Sequence, residues 1–279
     1  MKREAICDYH IVDHTLMSTS AIEAFHHLTG ESLYEVIKII DGVPIFFEEH
    51  MARLKQSIHL SRVNVALSET EILSDIIRLI RANDCGQVNV KIVLTREMEK
   101  HRLLIYFIRT EHPGEEAYRK GIRTILFPGE RETPNVKTIK DSFRDRVRTA
   151  LREAFAYEAL LLDDGGDITE GSRSNLFFLK GQHLLTPPGG RVLLGVTRQK
   201  VMAICRTSEI TVVEKCINQT ELHDLEGAFI TGTTVDVLPV AAINDMTFDS
   251  ARKPIIKKII HEFATEVARY ISARKQSQK

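Results

Sequence analysis

The chain has 279 residues, 43% of them hydrophobic and 27% charged, and its 38 basic and 38 acidic side chains cancel to a formal net charge of zero. That length can bury a substantial core divided between two domains, and the neutral balance argues against a dedicated nucleic-acid binder, whose affinity would rest on clustered Lys and Arg. No apolar run approaches the roughly 20 residues that span a bilayer, Met1–His10 lacks the apolar stretch of a secretory signal, and Cys7, Cys85, Cys205 and Cys216 form no CxxC pair, so a cytoplasmic protein with reduced thiols is expected.

His10-x-x-x-His14 and the adjacent His26-His27 belong to no HExxH motif or Cys/His grid and read as solvated loop histidines rather than metal ligands. Residues 33–49 predict a hairpin: Leu33-Tyr-Glu-Val-Ile-Lys-Ile-Ile is rich in β-formers, Asp41-Gly42 is a two-residue turn, and Val43-Pro-Ile-Phe-Phe returns. A helix from about Glu48 sets Met51, Leu54, Ile58 and Leu60 at helical spacing. A second opens at Ser68 with the capping box Ser68-x-x-Glu71 and carries Ile72, Ile76, Ile77 and Ile80 on one face. Strands near 87–95 and 102–109 complete a small α+β domain over 1–115, and the polar stretch broken by Pro113-Gly114 marks its end.

A larger α+β domain is expected over 116–279. Its predicted order is strands near 121–127 and 135–139, a helix over 142–156, then strands near 158–163, 175–180 and 183–186. A helix from Thr197, strands near 210–216, 227–231 and 235–240, and an amphipathic terminal helix follow, the last with Ile255, Ile259, Phe263, Val267 and Tyr270 on one stripe. Strands outnumber βαβ crossovers, which predicts mixed α+β domains rather than a doubly wound sheet.

The stretch from Asp163 to Lys180 is the most informative. It sets one acid, Glu170, at a turn between two apolar runs and follows it with the small polar cluster Gly171–Asn175. An ionised Glu in such a setting needs a specific partner. Lys137 ends an apolar segment, Arg53 follows a helix start, and Gly195-Val-Thr197 and Thr231-Gly-Thr-Thr234 are turns rich in hydroxyls and backbone donors. Together these suit pyridoxal phosphate, which needs an amine for a Schiff base, an anion at its pyridine nitrogen, donors for its phosphate and a group to fix its ring plane. On a strand, alternation turns Lys137 away from Val136 and Thr138, and burial would lower its amine pKa. An exposed strand lysine is the plain alternative, and Lys140 is the rival nucleophile. Glu170 suits the pyridine nitrogen, and Gly195-Val-Thr197 at a helix start suits the phosphate. Arg53 would add a fixed charge there. By default these are a turn acid, a helix cap and a solvated arginine, and only their joint presence points to the cofactor.

From about Gly30 to Val240 the chain resembles the fold-type IV pyridoxal-phosphate enzymes, the class IV aminotransferases, a group of branched-chain aminotransferases, D-amino acid aminotransferases and aminodeoxychorismate lyases. The resemblance rests on Leu33–Gly42, on Glu49-His-Met-Ala-Arg-Leu-Lys-Gln-Ser and on Val136-Lys-Thr. It continues through Tyr157-Glu-Ala-Leu-Leu-Leu-Asp, Ile168-Thr-Glu-Gly-Ser-Arg-Ser-Asn-Leu-Phe, Leu194-Gly-Val-Thr-Arg and Phe229-Ile-Thr-Gly-Thr-Thr-Val-Asp-Val-Leu-Pro-Val. It implies a D-amino acid aminotransferase-like fold of two α+β domains with the cofactor between them, in a homodimer. By position, it implies Lys137 as the Schiff-base lysine and proton carrier and Glu170 at the pyridine nitrogen. Arg53, the backbone of Val196, Thr197 and Thr233 would hold the phosphate, and Leu193 would pack on the ring. Tyr34, Thr233 and Thr234 would lie on the substrate side. The chain departs from the family pattern after Lys137, where Ile139-Lys140-Asp141-Ser142 stands, and in the short charged stretch Lys100-His101-Arg102. Lys91 falls where branched-chain enzymes tend to have Arg.

The leading expectation is an aminotransferase acting on an amino acid, branched-chain or D-amino acid-like, and a 2-oxo acid. A lyase releasing pyruvate from an aminodeoxychorismate-like substrate is the alternative on the same scaffold. A non-catalytic protein that kept the fold is the third, disfavoured by the intact Lys137, Glu170 and Arg53 set.

Overall fold

A computed structural model describes residues 4–20, 25, 32–97, 100–109, 112–129, 135–138 and 141–277. The chain forms two compact units: residues 1–111, 136–140 and 267–279 make the first, and residues 112–135 and 141–266 the second. Two pieces late in the chain belong with the first unit for local reasons. The Tyr34 N–H donates to the Lys137 carbonyl at 3.0 Å and Leu33 bridges Thr138. Tyr270 closes the start of the first helix: the Phe47 N–H donates to its hydroxyl at 3.1 Å, and that hydroxyl donates to Glu48 at 2.8 Å. No helix among the described residues is long and apolar enough to cross a membrane.

The first unit contains β1 (Ala5–Val12), β2 (Thr15–Ser18), β3 (Leu33–Ile40), β4 (Val43–Pro44), α1 (Phe47–Leu60), α2 (Glu69–Asn83), β5 (Val88–Glu97) and β6 (Lys100–Ile108). They build an antiparallel sheet in the order β2-β1-β6-β5-β3-β4. Strict alternation along β3 buries Leu33, Glu35, Ile37 and Ile39 on one side. That side joins α1 and α2 in a core of Met51, Leu54, Ile72, Ile76, Leu79, Ile92 and Ile105. The other sheet face packs Tyr34 against Val93, Leu104, Tyr106 and Phe25. Ser68 caps α2 as expected, accepting from the Glu71 N–H.

The N-terminal pair β1 and β2 was not predicted. Register slips between Ile6 and Ile11 where β1 meets β6, and Cys7 takes a positive φ of 68°, so the bulge erases the period-two signal. His10 is therefore not a solvated loop residue: it is fully buried in β1, 5.0 Å from the Phe25 ring. His14, at the exposed hairpin, hydrogen-bonds Asp75 at 2.7 Å. His26 and His27 lie outside the described residues.

The second unit contains α3 (Glu115–Lys120), β7 (Ile122–Pro128), α4 (Asp141–Glu153), β8 (Glu158–Leu162), β9 (Asp167–Gly171), β10 (Asn175–Lys180), β11 (His183–Thr186), α5 (Val196–Thr207), β12 (Val212–Glu214), β13 (Ile217–Asn218), β14 (Gly227–Gly232), β15 (Asp236–Ile243) and β16 (Met246–Thr247). The sheet runs β12-β11-β10-β14-β15-β7-β8-β9-β13, with β16 pairing β15. It is mixed, with parallel pairs at β15–β7, β7–β8 and β11–β12, as expected for α+β architecture. α6 (Pro254–Ser277) buries Ile256, Ile259 and Phe263, a stripe one residue off the predicted start.

The strand proposed at 135–139 is only the single bridge of Thr138 to Leu33 among the described residues. Glu170 sits in a strand, β9, rather than in a turn: Leu160 pairs Gly171 and Leu162 pairs Ile168, which draws a polar sequence into the sheet.

Candidate active site

In the first unit, period two on β3 sets a buried acid. The phase that buries Leu33, Ile37 and Ile39 also buries the Glu35 carboxylate beneath α1. His50, Arg53 and Ser57 repeat at i, i+3 and i+7 on the buried side of that helix. Arg53 grips Glu35 with two nitrogens, Nε to Oε2 at 2.8 Å and Nη2 to Oε1 at 2.6 Å, the fork geometry that favours Arg over Lys. His50 Nδ1 lies 3.1 Å from Oε1. Burial alone would raise the Glu35 carboxyl, but the Arg53 charge and His50 outweigh it and hold it far below the usual carboxylate range. Burial lowers His50, assisted by Arg53 and Lys137, against the opposing pull of Glu35. Arg53 is thus no solvated helix arginine. Two of its guanidinium nitrogens are committed to an acid that sequence reasoning passed over.

On the other face of β3 the Tyr34 ring is approached by two ammonium groups. Lys137 Nζ lies 4.9 Å from its centroid and Lys91 Nζ 5.0 Å, inside cation–π range. Val136 is buried in the helix-covered core, while Lys137 and Thr138 are both half-buried, so the expected alternation is seen on the Val136 side alone. Lys91 is buried in β5 and ion-paired to Glu4. Lys140 lies outside the described residues. Lys100, His101 and Arg102 open β6, and Arg102 faces Asp13 at 3.7 Å.

The second unit holds its own set of buried donors and acceptors. Glu170 is buried, and its Oε2 accepts the Leu193 N–H at 3.2 Å. The Leu193 carbonyl accepts from Asn175 Nδ2 at 2.8 Å. α5 then starts at Val196 with Gly195 as its N-cap and no side-chain cap. A Cβ on Gly195 would lie 2.1 Å from Asn175 Oδ1, so a larger residue would displace the amide that bonds Leu193. Val196 and Thr197 are buried at the helix start. Beside Asn175 across the β10–β14 pair, Thr231 presents a buried hydroxyl that has no hydrogen-bond partner among the described residues. Thr233 and Thr234 are half-buried in the turn between β14 and β15, and the Thr234 carbonyl meets His112 Nδ1 at 3.0 Å.

Within this unit Glu170, Leu193, Val196 and Thr197 share one polar arrangement; within the first, Lys137 joins Tyr34, and Arg53 joins Glu35 and His50. Sequence reasoning missed Glu35, His50 and Glu158. The signal for both acids was available: each is a lone carboxylate in a buried strand, Glu35 inside Leu33–Ile40 and Glu158 heading Glu158–Leu162. The donor set fits a phosphorylated ring. An uncapped helix start preceded by a glycine offers N–H groups to an anion, a buried carboxylate can hold a protonated ring nitrogen, and Thr231 supplies an uncommitted hydroxyl.

A family model described as amino-transferase class IV matches residues 32–243. Over 243 residues, 82% of this chain and 85% of the relative, the sequence is 29% identical to the D-alanine aminotransferase of Bacillus licheniformis. Over 271 residues, 90% of this chain and 85% of the relative, it is 25% identical to the branched-chain-amino-acid aminotransferase of Pseudomonas aeruginosa. The solved branched-chain amino acid aminotransferase of Escherichia coli superposes with a TM-score of 0.83 at 23% identity, covering 94% of this chain and 95% of that one. The expected fold is the one observed.

Proposed function

The chain belongs to the class IV aminotransferases, and from that premise we propose that it uses pyridoxal 5'-phosphate to move an amino group from a branched-chain or D-amino acid-like donor to a 2-oxo acid. The observation that carries the proposal is the arrangement in the second unit, where a buried Glu170 and an uncapped helix start are tied through Leu193 and Asn175. The cofactor, when bound, supplies the carbonyl that accepts the amino group and the ring that stabilises negative charge at the substrate Cα.

The protein's own part follows from its residues. Lys137 would hold the cofactor, and its Nζ would take the proton from the substrate Cα and return it. Tyr34, under that ammonium, would line the substrate side. Glu170 would keep a proton on the ring nitrogen. Arg53, the Val196 backbone, Thr197 and Thr233 would hold the phosphate, with Glu35 and His50 fixing the Arg53 plane. Leu193 would pack on the ring, and Thr233 and Thr234 would donate to the substrate carboxylate. Assembly as a homodimer and residence in the cytoplasm belong to the same proposal; the free state of all four cysteines supports the latter.

The test begins with the purified protein, which should show a visible absorption band that borohydride bleaches. Lys137→Ala should remove both the trapped adduct and turnover, by on the order of 10⁴-fold, whereas Lys140→Ala should keep them. The reverse result would reassign the amine. Single-turnover release of the matching 2-oxo acid from a panel of L- and D-amino acids then identifies the donor. Release of pyruvate from an aminodeoxychorismate-like substrate, with no amino transfer, would overturn the aminotransferase assignment.

A further inference from the structure

The cluster Gly171–Asn175 after Glu170 has polar groups that the proposed function leaves unused. Its backbone closes a turn, the Gly171 N–H donating to the Ser174 carbonyl at 2.8 Å and the Ser172 N–H to the Ala159 carbonyl at 2.8 Å. Three further donors of that turn converge on a single carboxylate, Glu158. Ser172 Oγ donates to Oε1 at 2.6 Å, Ser174 Oγ to Oε2 at 2.9 Å and the Arg173 N–H to Oε2 at 3.3 Å. The Ala159 N–H adds a fourth at 2.9 Å. Glu158 is 2% exposed, a depth at which an ionised carboxylate must be hydrogen-bonded. The Arg173 side chain donates to the Tyr157 carbonyl at 2.9 Å, and its Nε lies 4.0 Å from Glu158 Oε2.

The convergence explains the glycine. A Cβ at Gly171 would stand 2.1 Å from Ser174 Oγ and 3.2 Å from Glu158 Cγ. It also explains the serines, since a hydroxyl on a short side chain can reach from a tight turn into a carboxylate beside it. The turn is bounded by Glu170 on one side and Asn175 on the other, and both touch the same residue. The Leu193 N–H donates to Glu170 and the Leu193 carbonyl accepts from Asn175. Whatever sets the span from 170 to 175 therefore sets where Glu170 meets Leu193.

We propose that Glu158 is a positioning residue for the transamination: by gripping the Ser172–Ser174 turn it aims the Glu170 carboxylate and seats the Leu193 backbone beside it. The inference rests on the assignment of Glu170 to the cofactor's ring nitrogen. Glu158 itself bonds the turn and the Ala159 N–H. Its effect passes through a rigid turn, and small misplacements at a proton-holding group are costly to rate.

The experiment uses cofactor-loaded full-length protein and the variant E158Q, which keeps the side-chain shape but replaces one accepting oxygen by a donor. The midpoint of the pH titration of the bound cofactor's visible band, read without substrate, should move in the direction that E170Q moves it. kcat should fall about 10–100-fold while KM changes less than threefold. In an E170Q background, E158Q should add no more than about twofold, because both act through one group. S172A and S174A should give smaller shifts of the same sign, and they carry the test if E158Q does not fold. Wild-type titration midpoints in E158Q, or in S172A/S174A together, overturn the proposal, as does full additivity with E170Q. A wild-type protein that takes up no cofactor overturns the functional assignment as well, which distinguishes the two failures.

Discussion

Glu35 in the first unit and Glu170 in the second are both buried strand carboxylates, but they are held by opposite means. Glu35 meets formal charge, with a bidentate guanidinium and an imidazole packed on it by α1. Glu170 meets a backbone N–H, and its neighbourhood is built from small residues, amides and an uncapped helix start. A buried ion pair is expensive to break, because removing one member strands the other charge in a poor solvent. Neutral donors each hold less, so their value lies in where they point. The first unit should therefore fail by unfolding and the second by losing its chemistry.

Removing Glu35 is the harshest way to break this contrast. Glu35→Ala leaves Arg53 buried without its carboxylate and should cost about 3–5 kcal/mol, read as a fall in the urea midpoint at unchanged slope. A cost below about 1 kcal/mol would mean that Arg53 finds another anion and that the pair is not the unit's anchor. Gly195→Ala comes next. Its new Cβ would press on Asn175 Oδ1, 2.1 Å away, so about 1–3 kcal/mol of overpacking is expected, together with weakened uptake of cofactor through the displaced helix start. Unchanged uptake in a folded protein would remove the α5 N-terminus from the phosphate site.

Glu170→Gln sharpens the comparison from the other side. Loss of one charged acceptor for the Leu193 N–H should cost only about 1 kcal/mol of stability, yet α-proton exchange from a bound amino acid should slow by about 10²–10⁴-fold. A variant that exchanged protons at the wild-type rate would show that the ring nitrogen is held elsewhere.

The same contrast governs what could be read before the fold was known. Local signals were sufficient for β3, for the Asp41-Gly42 turn, for the Ser68 cap and for the polar cluster after Glu170, because each depends on neighbours in sequence. β1 was hidden by its bulge at Cys7, and β9 by a sequence, Asp167-Ile-Thr-Glu-Gly, whose composition suits a turn although it pairs with the strand just before it. Lys137 could be singled out as an amine near an apolar run, but its place beside Tyr34 comes from a single bridge rather than a strand. Pairings such as Arg53 with Glu35, or Ser174 with Glu158, join residues 18 and 16 positions apart through the packing of different elements. Nothing in either local stretch specifies the partner.

His50 provides the finest test of the charged half. At neutral pH, His50→Gln should cost less than about 1 kcal/mol, since the amide is of similar length and can still donate to Glu35. The difference should emerge on acidification. Burial, aided by Arg53 and Lys137, holds the folded imidazole below its ordinary 6.5, so the unfolded chain takes up a proton first. Stability from this group is complete above 6.5 and is lost as pH falls toward the lower folded value, with a slope approaching about 1.4 kcal/mol per pH unit where only the unfolded chain is protonated. Glu35 acts with the same sign in a more acidic window, because its folded carboxyl is held below the ordinary 4.5 by Arg53 and His50 against the cost of burial. Urea midpoints measured from pH 7 downward should therefore fall in two stages in the wild-type protein. In His50→Gln the first stage, beginning near 6.5, should be shallower by up to one proton while the second remains. If both proteins lose stability in parallel through the first stage, His50 is not the group that titrates there, and the network would rest on the Glu35–Arg53 pair alone.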